Sequence, residues 1–176
     1  GDINHAKNII NELGKTLTTK DFKKGIKFQF RNLDTFIHPE KKNDNSNKNI
    51  NRFLSTELSW DSLFELKKTA QTNKFLTICT PFDEDSVDKI IDMKFDVIKV
   101  ASCSSDDWPL MEKVASSGLP IIVSTGGLNI DQIDNLVSFF QHKGTDFSIM
   151  HCVSIYPMEN KQANIGFIKK LISRYP

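Results

Sequence analysis

No window of this chain comes near the roughly 20 consecutive apolar residues that a membrane-spanning helix needs. The N-terminus also lacks the charged-then-apolar layout of a signal peptide. An excess of one charge is missing too. The 23 basic and 22 acidic residues leave a formal net charge of +1 and are interspersed, so no patch argues for nucleic acid or a membrane surface. Cysteine is scarce, at three, with no CxxC or other metal-ligand spacing. Cys79, Cys103 and Cys152 lie in or near apolar runs and read as buried thiols of a reducing, cytoplasmic compartment. Length is limited as well. The 176 residues support one sizeable core but fall short of the roughly 200–250 that a complete (β/α)8 barrel needs. The chain opens at Gly1-Asp2 and stops just after a predicted helix, so an excised or incomplete chain is expected.

What the chain does have is five short apolar runs, each ending on a polar cluster. They are Gly25 to Gln29, Phe75 to Asp83, Val97 to Ser102, Ile121 to Gly127 and Phe147 to Pro157. Helical periodicity follows each run, and strands alternating with helices predict a parallel sheet whose strand ends carry the chemistry. One helix with no strand of its own precedes them, signalled by Ala6, Ile9, Ile10, Leu13 and Leu17, with Asp2 or Asn4 as its cap. Further helices are predicted from Leu58 to Asn73 (Trp60, Leu63, Phe64, Ala70), Asp85 to Met93 (Val87, Ile90, Ile91), from Trp108-Pro109, from Asn129, and over Ile165–Arg174. Asn129 with Gln132 has the form of a capping box, ahead of a stripe of Ile130, Ile133, Val137 and Phe140. The segment from Arg31 to Thr56 is rich in Asn and Lys. Residues 35–56 read as a long polar loop overhanging the strand ends.

A lysine inside an apolar strand run is informative, because burying an unpaired ammonium is costly. Lys27 lies between Ile26 and Phe28, and Lys99 between Ile98 and Val100, so alternation turns each away from its apolar neighbours. Either lysine can serve an ion pair at a sheet edge, or both can face one anionic ligand. Thr80, Ser102 and Ser124, the last followed by Thr-Gly-Gly, add hydroxyl and backbone donors suited to phosphate or carboxylate oxygens.

The ordered string Lys27-Phe28-Gln29, Thr80-Pro81-Phe82-Asp83, Lys99-Val100-Ala101-Ser102, Pro109-Leu110, Ser124-Thr125-Gly126 and His151-Cys152-x-x-Ile155-Tyr156-Pro157 resembles the sialic acid synthase (N-acetylneuraminate synthase) family over nearly the whole chain. The resemblance implies a (β/α)8 TIM barrel, present here only in part as about five strand–helix units, strands 2–6. It implies a carbon–carbon bond-forming transferase of carbohydrate biosynthesis that condenses phosphoenolpyruvate with an open-chain N-acetylated hexosamine or related aldose. The products are a 2-keto-3-deoxy sugar acid and phosphate. By motif, Lys27, Thr80, Lys99, Ser102 and Ser124 would hold phosphoenolpyruvate, and Gln29, Ser104, Ser154 and Tyr156 would lie on the sugar side. No residue is assigned as catalytic.

Two departures fall on the sugar side. Ser104 stands where the family commonly has Glu, and Ser154 where some synthases have Asn; Asp106 or Asp107 is the nearest carboxylate to Ser104 in sequence. An acceptor other than N-acetylmannosamine is therefore expected. The resemblance also implies a divalent metal, Mn or Mg, whose histidine ligands on later strands lie outside this chain, as does a C-terminal antifreeze-like domain. It implies a homodimer for the full-length protein, with no nucleic-acid or membrane partner. His151 reads as a structural histidine, and His5, His38 and His142 as surface residues. Two alternatives stand beside this reading: a Schiff-base barrel aldolase using Lys99, and a catalytically inactive anion-binding fragment.

Overall fold

A computed structural model describes residues 1–18, 21–42, 44 and 46–176. The chain divides into two compact units, residues 1–96 and 97–176. The first contains α1 (Ile3–Thr16), β1 (Gly25–Phe30), α2 (Leu33–Phe36), α3 (Lys48–Ser55), α4 (Trp60–Thr72), β2 (Leu76–Pro81) and α5 (Glu84–Asp92). The second contains β3 (Val97–Val100), α6 (Trp108–Ala115), β4 (Ile121–Ser124), α7 (Ile130–His142), β5 (Phe147–Met150) and α8 (Gly166–Arg174). Strands pair in parallel within each unit, β1 with β2 and β4 with both β3 and β5. The result is an α/β fold with five parallel strands, as the alternation of runs predicts.

In the first unit, period-2 alternation along β1 sends Ile26 and Phe28 into a cluster with Ile10, Leu66, Ala70 and Phe75 from α1, α4 and the entry to β2. Phe30 is buried edge-on against both Trp60 and Phe95, at ring-centroid distances of 5.1 and 5.4 Å. At the base of β2, the Asp96 carboxylate accepts from both the backbone N–H and the hydroxyl of Thr77, each at 2.7 Å. Asp2 caps α1 by accepting from Asn4 and His5 N–H. The phase of that helix differs from the sequence expectation. Ile10 is buried and Ile3 and Ala6 pack beside it, whereas Ile9 and Leu13 are 48% and 39% exposed. Similarly, α4 buries Leu66, Lys67 and Ala70, while Phe64 stays exposed beneath the Lys68 ammonium.

The expectation of a long loop over residues 35–56 is corrected. This stretch carries the end of α2, a 3₁₀ turn at Pro39–Lys41 and the helix α3, although positions 43 and 45 lie outside the described residues. Asn47 caps α3 by accepting from Asn49 and Ile50 N–H. Ile50 is buried, and Phe53 packs edge-on against Phe36. An asparagine-rich composition concealed a capped amphipathic turn.

In the second unit, Ile133, Val137 and Leu171 form a cluster with Phe147, Ile149, Phe167 and Tyr175, joining α7 and α8 to β5. The Asn129–Gln132 capping box is present in both directions, each bond 2.9 Å. Asp107 caps α6 through Leu110 N–H. At the far end, Arg174 and the Tyr175 hydroxyl both donate to the Asp134 carboxylate, tying α8 to α7. Of the three cysteines only Cys79 is buried. Cys103 is exposed, since it lies in a 3₁₀ turn beyond β3 rather than in a strand, and Cys152 is half-buried. Among the described residues, no helix is long and apolar enough to cross a membrane.

Candidate functional site

In the first unit, the register β1–β2 pairs Lys27 with Ile78 and Gln29 with Thr80. Alternation then puts Lys27, Gln29 and Thr80 on one face of the pair, opposite the face that packs against the helices. Lys27 as a whole residue is exposed, but its ammonium is partly withdrawn from water. That desolvation draws its pKa below the usual lysine range. The nearby Cys79 opposes the shift and Arg31 adds to it. Burial pushes the Cys79 thiol well up, so it is a neutral thiol and not a nucleophile. Thr80 is 1% exposed, and its hydroxyl has no hydrogen-bond partner among the described residues. A buried hydroxyl without a partner is uncommon, because losing water without replacement costs about 1–3 kcal/mol.

Two residues that sequence reasoning did not single out organise the end of this face. Arg31, just past β1, donates from its Nη2 to Gln29 Oε1 at 2.9 Å. Its guanidinium carbon lies 4.0, 4.7 and 5.8 Å from the ring centroids of Phe82, Phe53 and Phe36. Asn32 N–H donates to Asp83 Oδ2 at 2.8 Å, while Asp83 Oδ1 accepts from Ser86 N–H at 2.7 Å and so caps α5. A cavity of about 330 Å³ opens beside them, bounded by Gln29, Arg31, Asn32, Glu57, Ser59 and Trp60. No local motif announces Arg31, because its three aromatic partners come from distant segments.

In the second unit, Lys99 pairs with Ile122 in register, which places Lys99 and Ser124 on one face. Beyond the strand ends the chain closes tightly. Ser102 Oγ accepts from Gly126 N–H at 3.1 Å, and Cys152 Sγ donates to Ser124 Oγ at 3.3 Å. A Cβ on Gly126 would lie 2.8 Å from Ser102 Oγ and closer still to Ser154 Oγ. Ser102, Cys152 and Ser154 therefore crowd one glycine, whose backbone N–H donates to Ser102 Oγ.

The other expected sugar-side positions separate. Ser104 is 7% exposed, within the 3₁₀ turn that follows β3. Tyr156 is 92% exposed, and its peptide bond to Pro157 is cis. Asp107 Oδ1 accepts from Leu110 N–H as the α6 cap, and Asp106 is exposed. His151 Nε2 lies 2.9 Å from the Ala163 carbonyl oxygen, a structural contact, and His5, His38 and His142 are exposed.

Among the described residues no group of three or more His, Cys, Asp or Glu is placed to hold a metal ion. The lysines and hydroxyls at these strand ends are not themselves ligands suited to a divalent cation. Each face thus carries a lysine and at least one hydroxyl toward its strand ends, groups of the kind that hydrogen-bond oxyanions.

The sequence profile of the NeuB family matches residues 23–176. A curated but uncharacterised protein of Methanocaldococcus jannaschii, MJ1065, is 36% identical over 98% of this chain and 50% of its own length. Among solved structures, a protein assigned to spore coat polysaccharide biosynthesis from Chromobacterium violaceum superposes with a TM-score of 0.96 at 41% identity, covering 99% of this chain and 52% of that one. The N-acetylneuraminic acid (sialic acid) synthetase of Leptospira borgpetersenii serovar Hardjo-bovis, solved with citrate, gives 0.87 at 31% identity over 99% of this chain and 57% of that one. The chain thus spans about half the length of these relatives. With the match extending from the approach to β1 through α8, it belongs to the NeuB family.

Proposed function

We propose that the protein carrying this chain condenses phosphoenolpyruvate with an open-chain N-acetylated hexosamine or related aldose, and that the five strand–helix units are strands 2–6 of a (β/α)8 barrel. The observation that carries this reading is the buried Thr80 hydroxyl, without a partner among the described residues and on the same strand-pair face as Lys27. Lys27 and Thr80 from the first unit, with Lys99, Ser102 and Ser124 from the second, are assigned to the phosphate and carboxylate oxygens. Gln29, Ser154 and Tyr156 are assigned to the sugar, and so is Ser104 in place of a carboxylate. In the reaction, the enol carbon bonds to the aldehyde carbon, whose oxygen takes up a proton. Water then adds at the former enol-ether carbon, and that carbon's bond to the phosphate oxygen breaks. The fully anionic donor is held by charge and hydroxyls, while the neutral acceptor is held by directional hydrogen bonds. The full-length protein is taken to work in the cytoplasm as a homodimer.

The altered positions at Ser104 and Ser154 lead us to assign an acceptor other than N-acetylmannosamine. The test is phosphate release by the full-length protein with phosphoenolpyruvate and a panel of N-acetylated and plain aldoses. A clear preference for N-acetylmannosamine would overturn the acceptor assignment, and no release with any aldose would overturn the synthase assignment. Borohydride trapping with pyruvate is expected to give no adduct at Lys99. A trapped adduct would favour the aldolase instead.

A further inference from the structure

We propose that Arg31 is a positioning residue that holds the Gln29 carboxamide in one orientation, oxygen inward, so that its NH2 group is presented to the acceptor. The sugar-facing role of Gln29 rests on the function proposed above; the hold on its side chain rests on geometry alone. A guanidinium can only donate, so the Gln29 atom that faces Arg31 Nη2 at 2.9 Å must be the carbonyl oxygen. The amide is thereby fixed with both N–H bonds directed away from Arg31. A free glutamine on an exposed strand face would sample both flips and several rotamers. A sugar hydroxyl or an acetamido carbonyl would then have to select one of them.

Arg31 can do this because it is itself held. Phe82, Phe53 and Phe36 come from β2's exit, α3 and α2, and their ring centroids lie within 6 Å of the guanidinium carbon. Stacking on aromatic faces orients the planar fork without consuming its N–H donors. Gln29 and Arg31 both border the cavity of about 330 Å³, a volume suited to a small polar ligand. Phe30, between them, points the other way into the core. The sequence Gln-Phe-Arg therefore places an anchor between two cooperating polar side chains. The α2–α3 segment, by supplying two of the three rings, becomes part of the recognition apparatus.

The test is a double-mutant cycle in the full-length protein, with Arg31→Met and Gln29→Ala assayed by phosphate release. Arg31→Met keeps apolar bulk among the rings and removes the donor. The expected result is a rise of about tenfold in the KM for the aldose, the size of one lost charge-assisted hydrogen bond. The KM for phosphoenolpyruvate should be unchanged, and Arg31→Met should add nothing further in the Gln29→Ala background. Additive effects, or a parallel rise in the phosphoenolpyruvate KM, would overturn the proposal. A second measurement needs no turnover. The Gln29 side-chain NH2 signals in a ¹H–¹⁵N spectrum, identified by their loss in Gln29→Ala, should move toward free-amide positions in Arg31→Met. Unmoved signals would overturn it. If Arg31→Met does not fold, Arg31→Leu, which also removes the donor, serves for both readouts, with shifts in the same direction. Failure of the synthase reading shows itself separately, as wild-type protein that releases no phosphate while the amide signals still respond to Arg31.

Discussion

Gly126 offers the sharpest test of how closely the second unit is packed around its hydroxyls. A Cβ added there would lie 2.8 Å from Ser102 Oγ, 3.2 Å from Cys152 Cβ, and nearer still to Ser154 Oγ. The two hydroxyls can rotate aside, but Cys152 Cβ is fixed to its backbone and has to move with it. Inserting a methyl into such a site destabilises by about 1–3 kcal/mol. Restricting the unfolded chain offsets about 0.4–1 kcal/mol of that. The net expectation for Gly126→Ala is a loss of about 1–2 kcal/mol, a fall in Tm of about 2–8 °C for a protein of this size. Thermal unfolding followed by circular dichroism measures it. Because Ser154 Oγ is the nearest obstacle, the double variant Gly126→Ala with Ser154→Ala should recover part of the loss. A Gly126→Ala Tm at or above wild type would refute the reasoning. So would a Ser154→Ala change that simply adds its own cost.

Thr80→Val removes a buried hydroxyl that has no partner among the described residues and keeps its shape. The unfolding free energy from denaturant titration should be unchanged or raised by up to about 1 kcal/mol, while phosphate release by the full-length protein should fall at least tenfold. At Asp134, the Arg174 guanidinium first and then the Tyr175 hydroxyl hold the carboxyl at a pKa of about 2, against an ordinary 3.8. The folded value is the lower one, so the stabilisation is complete above about pH 4 and is lost as pH falls toward 2. The Tm gap between wild type and Asp134→Asn should be widest at neutral pH and close across that window. Removing the α3 cap with Asn47→Ala should cost about 1 kcal/mol, read as faster hydrogen exchange across residues 48–55 and little change elsewhere.

The elements that sequence reasoning placed well were those with local signatures. The reciprocal Asn129–Gln132 bonds and the Asp107-Trp108-Pro109 start need only neighbours a turn apart. All five strands were visible because apolar runs broken by one polar residue leave few other conformations. Helix phase was harder. Ile9 and Leu13 satisfy a 3.6-residue period as well as Ile3, Ala6 and Ile10 do, and only the tertiary partners Leu66 and Phe75 decide which stripe is buried. Asparagine misled in the 35–56 segment, reading as loop where Asn47 caps α3. On the site, the pairing of Gln29 with Thr80 came from the strand register and not from the motif, and Arg31 was invisible. Its meaning lies in three phenylalanines spread over 47 positions, and no spacing rule connects them.

Asp83 gives the Thr80-Pro81-Phe82-Asp83 motif a second meaning. One carboxylate caps α5 with one oxygen and anchors the Asn32 amide with the other, while the preceding Phe82 supplies the floor beneath Arg31. The exits of two neighbouring strands are thus a single mechanical part. Asp83 replaced alone would free both the α5 start and the Asn32 backbone, so an engineer altering the β1 exit near Gln29 would have to redesign the β2 exit with it.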